Sequence, residues 1–182
     1  MMRFLNIIRL IVIVFAVGLT FTSQASSLPK SIQKKINKEV KKIFPLEDLT
    51  MVKIEDFNFD TFKYQSIKNV SLSRLMCSDQ LMGYACFASS KGKNDYFDYM
   101  VLFSENMEIK KVIVLMYRST YGGEIMAKSW LKQFIGKVKG EEMEFEKDID
   151  GISGATISGP SMTKGVKTVS IMMSELKEKG VI

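Results

Sequence analysis

The chain has 182 residues, of which 46% are hydrophobic and 25% charged, a composition typical of one globular domain preceded by a leader. The formal net charge of +6 is mild and has no interleaved arginine and aromatic residues beside it, so nucleic acid is not an expected partner. Histidine is absent, which excludes Ser-His-Asp and Cys-His catalysis, His-ligated haem and the usual His-containing metal sites. Catalysis would need carboxylates, lysine, tyrosine or a cofactor, and this favours a cofactor carrier without a metal site.

Residues 1–25 have the features of a signal peptide. Arg3 and Arg9 supply a positive start, residues 10–21 form a short apolar run, and residues 23–25 end it with small residues at cleavage-type positions. The apolar run is shorter than the roughly 20 residues of a membrane span. Apolar residues before Arg9 extend it, so an uncleaved anchor stays open. We expect an exported protein, in the periplasm or on the outer face of the cytoplasmic membrane.

Residues 26–48 are predicted to form a basic amphipathic helix and a connector. Ile32, Ile36 and Val40 recur at helical spacing within residues 27–44, and Pro45 ends the helix. The other faces carry Lys30, Lys34, Lys35, Lys38, Lys41 and Lys42. These lysines form either a solvated face or a peripheral contact with an anionic membrane surface.

Five segments rich in β-branched and aromatic residues are predicted as strands, because turn-forming residues flank them. They are residues 49–59, 67–75, 83–89, 96–103 and 108–117. Their short connections indicate antiparallel pairing.

The two cysteines, Cys77 and Cys86, lie on either side of a predicted turn at residues 78–80. In an oxidising compartment such a pair can form a disulfide. The alternative is that Cys86 is a small buried apolar residue.

Two helices are predicted after the strands. Residues 124–135 form the first, which ends at Gly136 and packs through Ile125, Ser129, Trp130, Leu131 and Phe134. Residues 161–179 form the second, with a buried stripe of Met162, Val166, Val169, Met173 and Leu176. Between them, the acidic residues 140–148 form either a partner-docking surface or a solvated segment.

The most informative stretch is residues 150–156, Asp-Gly-Ile-Ser-Gly-Ala-Thr, followed closely by Gly159-Pro160. The small residues before Thr156 let a ligand approach the backbone. Pro160 suits the first turn of the closing helix, whose free N–H groups and dipole favour an anion. The pattern therefore places a threonine hydroxyl beside a predicted phosphate site.

This run resembles the Asp-x-x-Ser/Thr-Gly-Ala-Thr motif of the FMN-binding domain family, which occurs in flavin-carrying subunits of the Rnf and sodium-pumping quinone reductase complexes. Asp150, Ser153, Gly154, Ala155 and Thr156 match every fixed position. The resemblance implies an α+β fold, with a curved antiparallel sheet and packed flanking helices, as a single FMN-binding domain over residues 49–182. It also implies that a flavin transferase joins FMN, taken from FAD, to Thr156 as a phosphoester.

The loop at residues 117–124 also resembles the family, although Ser119 and Tyr121 stand where some members have glutamate and proline. Lys164, in the closing helix, is either a phosphate contact or an exposed lysine, and Trp130 is either a core residue or a flavin stacker. The residues expected to contact FMN are Asp150, Ser153, Gly154, Ala155, Ser158, Thr120, Gly122, Gly123, Glu124 and Lys164.

The expected function is that of an exported flavoprotein that transfers electrons between membrane or exported redox partners. It is more a carrier than a stand-alone catalyst, because FMN supplies the redox chemistry. One alternative is a non-redox binding module that has kept the fold without flavin. Another is a reductase that holds FMN without a covalent bond.

Overall fold

The computed structural model describes residues 28–55, 57–58 and 60–182. Its centre is a five-stranded antiparallel sheet in which each strand pairs with the next along the chain. The strands are β1 (Leu49–Ile54), β2 (Lys68–Cys77), β3 (Gln80–Lys91), β4 (Tyr96–Ser104) and β5 (Ile109–Met116). The main helices are α1 (Lys30–Ile43) and α3 (Ser158–Glu178), with the short α2 (Lys128–Leu131) between β5 and α3. The predicted α+β fold with an antiparallel sheet is confirmed.

The sheet is a meander because its connections are tight. Residues 78–79 join β2 to β3, with Ser78 in a left-handed conformation at φ 53°. The turn between β3 and β4 closes through a hydrogen bond from the Gly92 N–H to the Asp95 carbonyl at 2.8 Å. Register shifts interrupt the β2–β3 and β4–β5 ladders. Such irregularities bend and twist strands, and the sheet is curved.

Helices cover the two faces of this sheet with separate cores. On one face, α1 packs through Ile32, Ile36 and Val40 onto a cluster that includes Met100 and Leu102. On the other face, α3 packs through the predicted stripe, which is buried from Met162 to Leu176. Each face of the central strands therefore meets a different helix, which explains why β4 is buried along most of its length.

The first strand ends at Ile54 rather than at the predicted residue 59. Asp60 closes a turn instead, because its carboxylate accepts hydrogen bonds from the N–H groups of Phe62 and Lys63 at 2.9 and 3.1 Å. Asn and Asp favour such local bonds over strand pairing. Phe57 lies outside β1, and residue 59 lies outside the described residues.

The predicted continuous helix over residues 124–135 is wrong. Residues Gly123–Met126 and Lys132–Phe134 form 3₁₀ turns on either side of α2, and Ala127 is extended at φ −62° and ψ 120°. Positions 125 and 130 would lie about 140° apart around an unbroken helix. The break at Ala127 allows Ile125 and Trp130 both to be buried, whereas Ser129 is exposed.

The disulfide between Cys77 and Cys86 is not formed, and both cysteines are free. In the β2–β3 ladder, Cys77 lies opposite Gln80 and Cys86 lies opposite Leu72. At roughly 3.3 Å per residue, this register separates the cysteines by far more than the about 4.4–6.8 Å between the Cα atoms of a disulfide. Cys86 is instead a fully buried core residue, and burial raises the pKa of its thiol.

The predicted signal peptide, residues 1–25, lies outside the described residues. Within the described part of the chain, no helix is long and apolar enough to cross a membrane. Of the basic residues on α1, Lys35 donates a hydrogen bond to the Val114 carbonyl at 2.7 Å and so fastens the helix to β5. Contact between the other lysines and a membrane stays a prediction.

Glu39 helps to hold α1 against the sheet. Glu39 is only 8% exposed. Its carboxylate lies 2.7 Å from the Lys42 ammonium and 3.5 Å from the Lys111 ammonium on β5. The hydrogen bond from Lys42, with Lys111 nearby, holds the pKa of Glu39 below its usual range. A carboxyl with a lowered folded-state pKa stabilises the fold above its unfolded pKa and loses that contribution as pH falls through the folded pKa.

We predict that Glu39→Gln lowers the free energy of unfolding by about 1–3 kcal/mol near neutral pH. The difference from the unsubstituted protein should shrink as pH falls below about 4.3, where the unfolded carboxyl also binds a proton. Urea unfolding over this pH range measures both effects. The control is Glu178→Gln, since the Lys139–Glu178 pair is exposed on both sides and should contribute little. Equal losses in the two variants would contradict the prediction.

Candidate functional site

The motif at residues 150–156 is held on the protein by its backbone. The Trp130 indole N–H donates to the Asp150 carbonyl at 2.7 Å, and the Asp150 N–H donates to the Gln133 side-chain oxygen at 2.8 Å. Trp130 is only 5% exposed and packs edge-on against Phe134 with ring centroids 5.5 Å apart. The structure therefore supports a core role for Trp130, which anchors the start of the motif and is too buried to stack on a flavin.

Gly154 is required by the local geometry. Its φ is +86°, and a Cβ atom there would lie 2.6 Å from the Glu124 carboxyl carbon. The backbone conformation disfavours other residues, and the Glu124 carboxyl fills the space that a side chain would take. The motif and the loop after β5 are thus in direct contact at this glycine.

A second contact between this loop and the motif lies at Tyr117. Its hydroxyl donates to the Tyr121 carbonyl at 2.5 Å and lies 2.7 Å from the Ser158 hydroxyl. A phenol has one proton, so Ser158 is the donor in the second bond. Gly122, at φ +86°, lies over this pair, and a Cβ atom there would be 2.6 Å from both hydroxyl oxygens. These bonds fix the loop against the start of α3.

Three segments that are distant in sequence enclose a cavity of about 200 Å³. They are the turn before β4, the loop after β5, and the motif with the start of α3. Thr156 is exposed, and its hydroxyl has no hydrogen-bond partner among the described residues. Two apolar side chains lie at the exposed rim, Tyr121 at 65% and Ile157 at 50% exposure. The cavity is lined by Lys93, Tyr121, Gly122, Gly154, Ala155, Thr156, Ile157 and Ser158.

The cavity has the electrostatics of an anion site. α3 begins at Ser158, and its positive dipole end faces this region. The N–H groups of Thr156, Ile157 and Ser158 have no acceptor within the described residues. Lys93 adds a cation, and its ammonium lies 5.2 Å from the Tyr121 ring centroid.

The free N–H groups are not the ones predicted. α3 starts before Pro160, and the N–H groups of Gly159 and Ser161 donate to Ala155 and Ile157 at 2.7 and 3.3 Å. Pro160 has no N–H group to offer. The groups available to an anion therefore lie just before the helix and at its first residue, in residues 156–158.

The structure brings together about half of the predicted contact residues. Gly122, Gly154, Ala155, Thr156 and Ser158 line the cavity, and Glu124 lies directly behind Gly154. The others do not line it: Asp150, Ser153, Thr120, Gly123 and Lys164. Lys164 is exposed further along α3.

Lys93 supplies the basic group that Lys164 was expected to supply, and it was not predicted. A Cβ atom on its neighbour Gly92 would lie 3.7 Å from the Ser158 hydroxyl, so this turn lies beside the start of α3. The only signal in the sequence is the position of Lys93 in a Lys-Gly-Lys turn before a strand.

A small cationic cavity around an exposed threonine has the donors that suit a phosphate group. Residues 92–170 match the family model of the FMN-binding domain. This match supports an FMN-binding domain in that segment of the chain, with FMN as its cofactor. The matched segment contains Lys93, the loop after β5, the motif and the first part of α3. No curated protein matches the sequence.

The residues present fit the phosphate end of FMN. Unpaired N–H groups and an ammonium are the donors that a phosphate needs, and Thr156 lies among them. The cavity, at about 200 Å³, is smaller than the roughly 300–1,000 Å³ of pockets that enclose a whole ligand. The apolar rim at Tyr121 and Ile157 is the nearest surface for the flavin ring.

Proposed function

We propose that the protein is an exported flavoprotein that carries FMN as a phosphoester on Thr156 and transfers electrons between redox partners. The observation that carries the proposal is the exposed Thr156 hydroxyl in a cationic, phosphate-sized cavity of an FMN-binding domain. The free N–H groups of residues 156–158 and the Lys93 ammonium would hold the phosphate there. When bound, FMN supplies one- and two-electron chemistry that side chains lack.

The small volume of the cavity supports a covalent link. A cavity that encloses only the phosphate end of FMN buries too little of the cofactor to hold it tightly, because affinity requires most of a ligand's surface to be buried. An exported protein cannot replace a cofactor that dissociates. A phosphoester to Thr156 retains FMN without an enclosed pocket.

The surroundings of Thr156 support attachment by a separate enzyme. Within the described residues, no side chain hydrogen-bonds to the Thr156 hydroxyl, so no group is in position to remove its proton. A flavin transferase with FAD as donor would supply that activation. In that step, the Thr156 oxygen bonds to the FMN phosphorus, the phosphoanhydride bond of FAD breaks, the hydroxyl proton leaves, and AMP departs.

The test is the intact mass of the protein after coexpression with a flavin transferase from its own source in an exporting host. We expect a gain equal to one FMN minus water, which stays after denaturation and maps to the peptide with Thr156. Flavin that leaves on denaturation would instead indicate non-covalent binding. A colourless protein, with the transferase active on another substrate, would favour a binding module without flavin.

Gly154→Ala should slow flavin attachment by about tenfold. An alanine at φ +86° costs about 1–2 kcal/mol, and its Cβ atom would also displace the Glu124 carboxyl from the motif. The measurement is the covalent FMN fraction against time with limiting transferase. Gly136→Ala is the matched control, since Gly136 has φ +89° and open space around it. That variant should lose similar stability and gain flavin at the normal rate. Equal attachment rates in both variants would show that the contact with Glu124 does not matter.

A further inference from the structure

A second cavity, of about 540 Å³, lies on the face of the sheet that carries α1. α1 covers the part of this face that contains Leu75, Met100 and Ile113. The neighbouring part, with Ser73 and Phe87, forms the cavity wall beside the first turns of α1. No residue lines both this cavity and the one at Thr156.

Ser73 offers a hydroxyl group to this cavity. Its side chain lines the cavity and is 6% exposed, and its hydroxyl has no hydrogen-bond partner among the described residues. On the adjacent strands, Ser73 lies opposite Lys53 and Ala85. This hydroxyl faces the cavity and is free to bond to a polar group of a ligand there.

The polar lining includes a charged donor, Arg118, beside an acidic partner. Ser89 is 2% exposed and donates to Asp98 at 2.8 Å, while Arg118 donates to the other Asp98 oxygen at 2.5 Å and to the Tyr96 carbonyl at 2.8 Å. Both oxygens of Asp98 are therefore engaged. The pKa of Arg118 is raised by its hydrogen bond with Asp98, so the guanidinium stays charged. Arg118 has five N–H groups, and the Lys53 ammonium, which pairs with Glu55 at 2.7 Å, has three, so donors remain for a ligand.

Most of the remaining lining is apolar, apart from Gln33, Asn69 and Ser71. Ile36 and Leu28 contribute from α1 and the residues just before it, and Met51, Phe87 and Leu115 contribute from the sheet. The volume lies within the roughly 300–1,000 Å³ typical of small-molecule sites. An apolar wall with convergent donors and an arginine suits a ligand with an apolar body and an acidic head.

We infer that this cavity binds a small amphipathic organic anion. The acidic head accepts hydrogen bonds from the Ser73 hydroxyl and from Arg118, and the apolar body packs on Phe87 and Ile36. Asp98 serves as a positioning residue, since it orients Arg118 and is itself held by Ser89. This site goes beyond flavin binding and does not depend on it.

The test uses two fluorescent probes on the protein as purified from an exporting host. Anilinonaphthalene sulfonate has an apolar body and an anionic head, and N-phenylnaphthylamine is its neutral counterpart. We expect the anionic probe to bind at one molecule per chain. Ser73→Leu should weaken the binding of both probes by more than tenfold, because the leucine side chain fills part of the cavity. Arg118→Gln should lower the affinity for the anionic probe by about tenfold and leave the affinity for the neutral probe unchanged.

Ser129→Leu is the matched control, since Ser129 is exposed in α2 and the change adds the same apolar atoms elsewhere. Urea unfolding shows which variants are folded, and Ser71→Leu, in the same cavity, replaces Ser73→Leu if that variant does not fold. Equal probe affinity in the Ser73 and Ser129 variants would overturn the site. Equal weakening of both probes by Arg118→Gln would overturn recognition of the acidic head. Binding only after removal of residues 1–25 would show that the chain's own leader occupies the cavity, and would also overturn the proposal.

Discussion

Thr156→Ala will abolish the covalent flavin and leave the fold unchanged. Thr156 is exposed, and its hydroxyl makes no hydrogen bond within the described residues, so its loss should change the free energy of unfolding by less than about 0.5 kcal/mol. The mass gain of one FMN minus water should disappear completely, because the other hydroxyl that lines the cavity, on Ser158, is bonded to Tyr117. Intact mass and urea unfolding on the same sample separate the loss of attachment from a loss of folding.

Two further variants sharpen this test. Thr156→Ser keeps a hydroxyl and should still accept FMN. Thr61→Ala removes another exposed threonine, far from the motif in the chain, and should carry as much flavin as the unsubstituted protein. Covalent flavin on Thr156→Ala would place the attachment elsewhere. Loss of flavin in Thr61→Ala would indicate a defect in export or expression instead.

The sheet was predictable because its signals are local. Each strand is a run of β-branched or aromatic residues, and the turn between β3 and β4 is marked by Gly92 and its polar neighbours. Short connections leave antiparallel hairpins as the available pairing. The end of β1 was placed too late because Phe57 continued the apolar pattern, while the turn at Asp60 depends on side-chain bonds that periodicity does not report.

The cavity at Thr156 was only partly predictable, since it is assembled from distant segments. The motif and Gly122 could be identified from composition and from resemblance to a family. Lys93 could not, because its approach to the start of α3 depends on how the β3–β4 turn folds over the sheet. The helix predicted over residues 124–135 failed for a related reason. Ile125 and Trp130 are both buried, and Trp130 also bonds to Asp150. These tertiary contacts override the local helix propensity of residues 124–135.

No pattern in the sequence predicted the second cavity. Ser71-Leu72-Ser73 alternates as a strand does when its polar side faces water. In the structure, the serine side of β2 faces α1 and Ser73 is nearly buried. Alternation indicates which residues share a face of the sheet. Whether that face is buried depends on where α1 packs, which alternation does not report.

Gly165→Ala will destabilise the protein, although alanine normally stabilises a helix by about 1 kcal/mol relative to glycine. Gly165 lies in α3 where the helix crosses the sheet, and a Cβ atom there would be 2.3 Å from the Ser90 hydroxyl and 2.5 Å from the Tyr99 hydroxyl. Both residues are fully buried. We expect a loss of about 1–3 kcal/mol in the free energy of unfolding, measured with urea, because overpacking forces helix and sheet apart.

The partner hydroxyls make this prediction specific. Ser90 donates to the Ser66 carbonyl at 3.2 Å, so Tyr99 donates to Ser90 across 3.1 Å, and burial raises the pKa of Tyr99 and keeps it protonated. Ser90→Ala removes the nearest atom and should cost stability alone, since it leaves Tyr99 without its acceptor. Combined with Gly165→Ala, it should recover part of the loss, because the new methyl group enters the space of the missing oxygen. Strictly additive losses in the double variant would show that Ser90 is not the contact that opposes the new methyl group. Another contact would then set the distance between α3 and the sheet.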